Sequence, residues 1–229
     1  MPNTHPANIT ILQVATDHIQ EYAKYTIQAN WLYAKKHSYN YMWMDQVPTD
    51  RHPTWGKVYY AKHWIANTDW LFVLDADAMV YNTDITLNQF CNDNYTLKMC
   101  RNEGNGGDLL NAGAFIIKNN TIAKQMLQIW YDAKGYHDKM WNYWHEQSVI
   151  NGLYQNHDLF KSNIVEYPSQ AFNSYWLDME LDNIDKNQFV QHVMARPNEQ
   201  KQLIIAELYE SIYGKWKDCN ITPGLQPLN

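Results

Sequence analysis

Apolar residues along this chain fall first in adjacent runs and then at spacings of three and four, a change of period that predicts strands and helices in turn. Ile9-Thr10-Ile11-Leu12-Gln13-Val14-Ala15-Thr16 reads as a buried strand. Asp17 followed by Gln20 predicts a capping box, opening a helix to about His37 with Tyr22, Tyr25, Thr26, Ala29, Leu32 and Tyr33 on one face. Tyr39 to Met44 predicts a second strand, and a polar loop from Gln46 to Pro53 follows. A helix from about Thr54 to Ala66 then carries Trp55, Val58, Tyr59, Lys62 and Ile65 on one stripe. Trp70-Leu71-Phe72-Val73-Leu74 is an unbroken apolar run, too short for a buried helix, and reads as a strand covered on both faces.

Beyond Tyr81 the pattern predicts a short helix at Leu87 to Phe90, a strand at Thr96 to Cys100, and a glycine-rich loop from Arg101 to Asp108. That loop lacks the lysine and spacing of a Walker loop. A strand over Leu109 to Lys118 enters through small residues, which permit close approach of a ligand. The helix from about Thr121 to Tyr136 buries Ile122, Met126, Ile129, Trp130 and Ala133, and the stretch Trp141 to Gln147 introduces another that runs to about Tyr154. Ile164 to Trp176 is irregular and aromatic, as expected of a surface lid or acceptor wall. Phe189 to Met194 is the last strand and Glu199 to Tyr213 a terminal helix. Alternating strands and helices predict an α/β domain, a mainly parallel sheet flanked by helices. Ligands of such sheets bind beyond the carboxyl ends of the strands, so the Val14-Ala15-Thr16-Asp17 and Asp75-Ala76-Asp77 ends should border one crevice.

The carboxylates of Asp75 and Asp77 follow the apolar run one residue apart. Alternation in an extended segment would point both the same way, with the small Ala76 between them. Such triplets also occur by chance. Here the pair closes an apolar run, where unpaired charge is costly without a cation or donors. A hard divalent cation, with oxygen ligands completed by substrate phosphates, fits that position.

At 229 residues the chain suits one domain with a real core. A net charge of -6 with no basic run argues against nucleic acid as partner. Cys91, Cys100 and Cys219 show no metal-ligand spacing, and their odd number favours free thiols and a cytoplasmic setting. No span has the length of a transmembrane helix and the start lacks the regions of a signal peptide, so no membrane anchor is expected. The 10 Trp and 17 Tyr exceed what core packing uses comfortably, and amphipathic rings suit sugar ligands. Glu146 and Gln147 near a helix start serve either the helix dipole or catalysis. His192 on an apolar strand reads as a core histidine or a metal ligand.

Together these segments resemble a glycosyltransferase of the GT-A class, in particular the galactosyl- and mannosyltransferase family of fungal mannan and plant xyloglucan enzymes and the related chlorella-virus enzymes. The resemblance rests on Trp55-Gly56-Lys57, Trp70 to Val80 with its DAD triplet, Asp108 to Lys118 as D-L-L-N-A-G-A-F-I-I-K, Trp130, Glu146-Gln147 and His192. It spans residues 9 to 196 and implies one GT-A domain over 1-229. The nucleotide part is 9-80, the donor-sugar and acceptor part 81-196, and the terminal helix 198-213.

The resemblance implies that Asp75, Asp77 and His192 hold Mn²⁺ or Mg²⁺ on the diphosphate of a nucleotide sugar, UDP-linked by preference. It assigns Val14, Ala15 and Thr16 to base and ribose, with Tyr22 as a stacking ring and Ala76 alongside. It sets Asp108, Asn111, Ala112 and Gly113 beside the donor sugar, and Glu146 and Gln147 near the anomeric carbon. The family's end motif is H-x-A-G, whereas this chain reads His192-Val193-Met194-Ala195-Arg196. Arg196 or Lys201 is then the source of positive charge, with Lys57 and Arg51 as weaker candidates. Without the anchor of the eukaryotic members, the chain resembles the soluble viral enzymes, and the implied acceptor is a glycan hydroxyl reached in the cytoplasm, the host's if the chain is viral. Two rival readings are a sugar-phosphate nucleotidyltransferase and a carbohydrate-binding module. The first usually has a basic glycine-rich loop after strand one, where this chain has Ala15-Thr16-Asp17-His18. The second leaves the DAD triplet without a purpose.

Overall fold

The computed structural model describes residues 7–91, 94–102, 109–133, 145–175, 185 and 187–226. In chain order the elements are β1 (Ile9–Val14), α1 (Gln20–His37), β2 (Asn40–Met44), α2 (Gly56–Trp64), β3 (Trp70–Leu74), β4 (Ala78–Val80), β5 (Leu97–Arg101) and β6 (Leu110–Lys118). There follow α3 (Thr121–Asp132), α4 (His145–Asn156), α5 (Asp158–Asn163), β7 (Ile164–Tyr167), β8 (Ser174–Tyr175), β9 (Val190–His192), α6 (Asn198–Tyr213) and β10 (Gly224–Gln226).

The main sheet has seven strands in the order β10-β2-β1-β3-β6-β5-β7. Its first half is parallel through β2, β1 and β3, as the strand-helix alternation predicts. β6 runs against β3, bringing Ala114 opposite Leu74 at the carboxyl end of β3. The chain therefore returns to the mouth of the sheet beside the DAD triplet. A second sheet, β4-β9-β8, begins where the first stops.

Both faces of the main sheet are covered, and its central strand β3 is apolar at every position. Trp70, Phe72 and Leu74 face one core with Tyr22, Ala23 and Tyr33 of α1 and Ile205 and Leu208 of α6. Leu71 and Val73 face the other, against Val58 of α2, Met126 and Trp130 of α3, and Val149 and Leu153 of α4. Burial on this scale supplies most of the folding free energy. Among the described residues no helix is long and apolar enough to cross a membrane.

Some expectations need correction. The capping box does not form: Asp17–Ile19 is a 3₁₀ turn, and neither it nor α1 has a side-chain cap bond at its N-terminus. The Gln20 amide instead donates to Ala15 O at 2.8 Å, tying the helix start to the end of β1. Asp75 to Asp77 is not extended either. It is a turn closed by Ala78 N–H donating to Asp75 O at 3.1 Å, and it carries the chain from β3 in one sheet to β4 in the other. Strand alternation therefore does not orient its carboxylates. The stretch from Ile164 to Tyr175 is no surface lid, since it supplies β7 and β8 and buries Phe172 and Asn173 completely.

Candidate active site

The DAD turn is held from behind by a polar cluster inside the sheet. Gln13 on β1 is fully buried. Its amide nitrogen donates to Asp75 O at 3.1 Å and to Thr26 Oγ1 at 3.0 Å. Its amide oxygen accepts from Asn30 Nδ2 at 3.1 Å and Tyr41 Oη at 2.8 Å. Thr26 passes its proton on to Ala76 O at 2.6 Å. Asn30 donates to Ala78 O at 3.0 Å and accepts from Val80 N–H at 2.8 Å. Every polar group of this cluster has a partner, the condition under which a buried network rigidifies what it holds. The carbonyls of Asp75 and Ala76 point inward to the network, that of Asp77 accepts from Val193 N–H at 3.0 Å, and the carboxylates are left facing the crevice.

There Asp75, Asp77 and His192 bring one ligand atom each to within 4.8 Å of one another. His192 Nε2 lies 3.1 Å from Asp77 Oδ1 and 3.9 Å from Asp75 Oδ2. Antiparallel pairing of Ala78 with His192 in the second sheet produces this meeting of residues far apart in sequence. Lys201, in the first turn of α6, reaches Asp77 Oδ2 at 2.5 Å. Burial alone would raise the Asp77 carboxyl, but His192 and Lys201 outweigh it and hold the group well below the usual carboxylate range. Asp75 goes the other way: burial pushes it up against the pull of Lys57, and the neighbouring Asp77 adds to the rise. Two carboxylate oxygens and an imidazole nitrogen crowded together on the cavity wall fit a divalent cation.

Beneath the triplet, Lys57 of α2 is 3% exposed. Its ammonium meets Asp75 Oδ1 at 2.5 Å, Glu146 Oε1 at 2.9 Å and Ala112 O at 2.9 Å. All three ammonium protons are thereby used. Burial by itself would lower this lysine, but the two carboxylates hold it above its ordinary value. α4 is docked on β6 by Asn151, whose side chain donates to Leu110 O at 2.9 Å and accepts from Leu110 N–H at 2.7 Å. That docking carries Glu146 to Lys57 and lets Gln147 Oε1 accept from Ala112 N–H at 2.9 Å.

Asp75, Asp77, His192, Lys201, Glu146 and Gln147 line one cavity of about 680 Å³. Its lining also includes Val14, Thr16, His18 and Ile19, and the run from His52 to Thr54 with His145. A volume in this range holds a ligand of nucleotide-sugar size.

The sequence profile of the galactosyl transferase GMA12/MNN10 family matches residues 101–202. A probable alpha-1,6-mannosyltransferase, MNN10 of Saccharomyces cerevisiae, is 33% identical over 67 residues, a match covering 28% of this chain and 17% of that relative. A solved glycosyltransferase involved in the glycosylation of the major capsid of PBCV-1 superposes with TM-score 0.67 at 17% identity, over 86% of this chain and 98% of the other. The galactosyltransferase LgtC, in complex with donor and acceptor sugar analogs, superposes with TM-score 0.57 at 15% identity, over 88% and 95%. The chain has the fold of GT-A glycosyltransferases.

In this GT-A chain the predicted site residues separate into groups. Val14, Thr16, Tyr22, Asp75, Ala76, Asp77, Asn111, Glu146, Gln147, His192 and Lys201 line the cavity. Lys57 and Ala112 lie behind that wall and spend their polar groups on Asp75, Glu146 and Gln147. Gly113 does not open space for a ligand: its absent side chain makes room for the His192 ring. Ala15 is buried, with its N–H bonded to Met44 O at 2.9 Å. Arg196 is half-buried and is not among the lining residues. Arg51 stacks between Trp55 and Tyr131, 4.9 and 4.0 Å from their ring centroids. Tyr22 is 4% exposed beneath the Lys201 ammonium. Its hydroxyl is raised by burial and by both aspartates, so it is a neutral phenol. Asp108, the glycine-rich loop from 103 on, Trp141 to Trp144 and Trp176 lie outside the described residues.

The sequence reading missed Gln13 and Asn30, both inside apolar segments, and Asn173, within an aromatic stretch. A buried amide in an apolar strand is a signal that could have flagged Gln13. It also missed His52 and His145, whose rings stack at 3.7 Å on the cavity wall. Ala195 is left-handed, with φ 54°, at the position where the resembled motif has glycine. A left-handed non-glycine residue costs about 1–2 kcal/mol, part of which glycine returns as entropy on folding. Ala195→Gly is therefore expected to raise stability by up to about 1 kcal/mol in thermal denaturation; a lower melting temperature would show that the alanine methyl contacts outweigh the strain.

Proposed function

We propose that this chain transfers a hexose-type sugar from a UDP-sugar to a glycan hydroxyl, with retention at the anomeric carbon. The observation that carries this reading is the convergence of Asp75, Asp77 and His192 within 4.8 Å on the wall of the large cavity. A Mn²⁺ or Mg²⁺ held by these three residues supplies charge neutralisation for a departing diphosphate. Lys201 adds a cation on the same side. Val14 and Thr16, which line the cavity at the end of β1, suit the base and ribose.

Glu146 and Gln147 serve the sugar. Glu146 Oε1 is spent on Lys57, while Oε2 is buried with no hydrogen-bond partner among the described residues. Glu146 also lines the cavity, and its negative charge suits an oxocarbenium-like transition state. Gln147, its oxygen occupied by Ala112 N–H, keeps its amide protons for the sugar or acceptor. Asp108 and Asn111 complete the proposed sugar contacts. In the reaction the anomeric carbon exchanges its bond to the diphosphate oxygen for one to the acceptor oxygen, and the acceptor's proton is released.

Thermal unfolding with UDP, GDP and their sugars, with Mn²⁺ or with chelator, tests the proposal. A nucleotide at 100 times its dissociation constant adds roughly 2.7 kcal/mol, and the expected result is stabilisation by UDP only when Mn²⁺ is present. Asp77→Asn should remove that shift and the sugar transfer. No response to any nucleotide would reject the reading.

A further inference from the structure

A chain of hydrogen bonds that begins at a backbone amide fixes the roles of atoms whose identity is otherwise ambiguous. Gly113 N–H can only donate, and it meets Asn111 Oδ1 at 2.7 Å, so that atom of Asn111 is an acceptor. The Asn173 atom 2.9 Å from the same oxygen must then be its amide nitrogen. The other end of the Asn173 amide is accordingly the oxygen, 2.9 Å from His192 Nδ1. An oxygen there demands a proton on Nδ1. In the neutral ring Nε2 then carries the lone pair, and Nε2 is the nitrogen that faces Asp77 and Asp75.

Asn111, Asn173 and His192 are all buried, so water cannot take over these roles cheaply. Asn111 has a further restraint, its amide nitrogen lying 3.8 Å from Met194 Sδ. Gly113 closes the circuit, since a side chain on it would strike the very ring whose orientation its N–H sets.

We infer that Asn173 is a positioning residue. Through Asn111 and the Gly113 amide, it holds His192 with Nδ1 protonated and the Nε2 lone pair turned to Asp75 and Asp77. This role rests on the metal reading of the site. The partner on the far nitrogen of a ligating histidine selects its tautomer, and loss of such a partner typically costs 10–100-fold in metal affinity.

The test is Mn²⁺ binding, followed by the paramagnetic signal of the free ion, with and without UDP or GDP, for the wild type and Asn173→Leu. The leucine keeps the volume and removes the acceptor. The variant is expected to bind Mn²⁺ roughly 10–100-fold more weakly; wild-type affinity in a folded variant would overturn the inference. A second measurement needs no altered Asn173: ¹⁵N NMR of histidine-labelled wild type with Mg²⁺ and UDP, the His192 signals identified by their loss in His192→Gln. A proton on Nδ1 and none on Nε2 is expected, and the reverse assignment overturns the inference whatever Asn173→Leu does. Wild-type protein that binds no Mn²⁺ with either nucleotide would remove both the metal reading and this role. Wild-type binding with an unaltered leucine variant removes only the role.

Discussion

Lys57→Met is expected to lower the free energy of unfolding by about 3–5 kcal/mol, the cost of removing one partner from a buried ion cluster. The methionine fits the apolar stem of the lysine but leaves Asp75 and Glu146 facing each other without the ammonium that now lies 2.5 and 2.9 Å from them. Glu146 is 4% exposed, so little water can reach its carboxylate in place of the lost ammonium. Urea denaturation measures the loss directly. An unchanged midpoint and slope would mean that the carboxylates are neutral in the folded protein and that Lys57 is dispensable. A second signature separates this mechanism from simple loss of packing: Glu146→Gln made in the Lys57→Met background should recover part of the loss, because it removes a buried charge that no longer has a partner.

Gly113→Ala is the smallest substitution with a large expected effect on the site. A Cβ on Gly113 would lie 2.1 Å from His192 Cε1 and 2.6 Å from Nδ1, separations that real atoms do not keep. Gly113 cannot yield, because its carbonyl accepts from Asp75 N–H at 2.7 Å and its own N–H is bonded to Asn111. The imidazole must move instead, away from Asp75 and Asp77. Metal-dependent sugar transfer should fall by about 100-fold, the cost of misplacing a reacting constellation by an ångström. Stability should fall by about 1–3 kcal/mol, as for other overpacked sites. Kinetics across a Mn²⁺ titration together with a melting curve check both, and wild-type kinetics would sink the account of Gly113 as the seat of His192.

The outline of the fold was legible because its signals are local. Ile9 to Val14, Asn40 to Met44 and Trp70 to Leu74 are strands whose apolar runs announce them, and α3 and α6 follow the 3.6-residue period of their buried faces. Family-like motifs also singled out Asp75, Asp77 and His192, which the structure brings together. Errors came where a local rule met a tertiary demand. Thr26 scored as one more position on the buried stripe of α1, yet its hydroxyl holds Ala76 O. Gln20 looked like half of a capping box and instead reaches back to β1. Lys57, read as a weak ligand for phosphate, spends its charge on two carboxylates of its own chain.

Order, type and approximate extent of β1 to β3, β5, β6, α1 to α3 and α6 thus follow from hydrophobic period alone, because each residue's preference for strand or helix is decided within a few neighbours, whereas α5, β7, β8 and β10 gave no such signal. Placement of the chemistry does not. Asp77 and His192 meet only because β4 leaves the main sheet and pairs with β9, and His192 faces them with Nε2 only because Asn173, Asn111 and Gly113 converge from separate elements. Such convergence depends on which strands pair and in which direction, a choice made by the packing of the whole domain. Buried polar atoms from distant segments then have to satisfy one another there, since no water remains to do it.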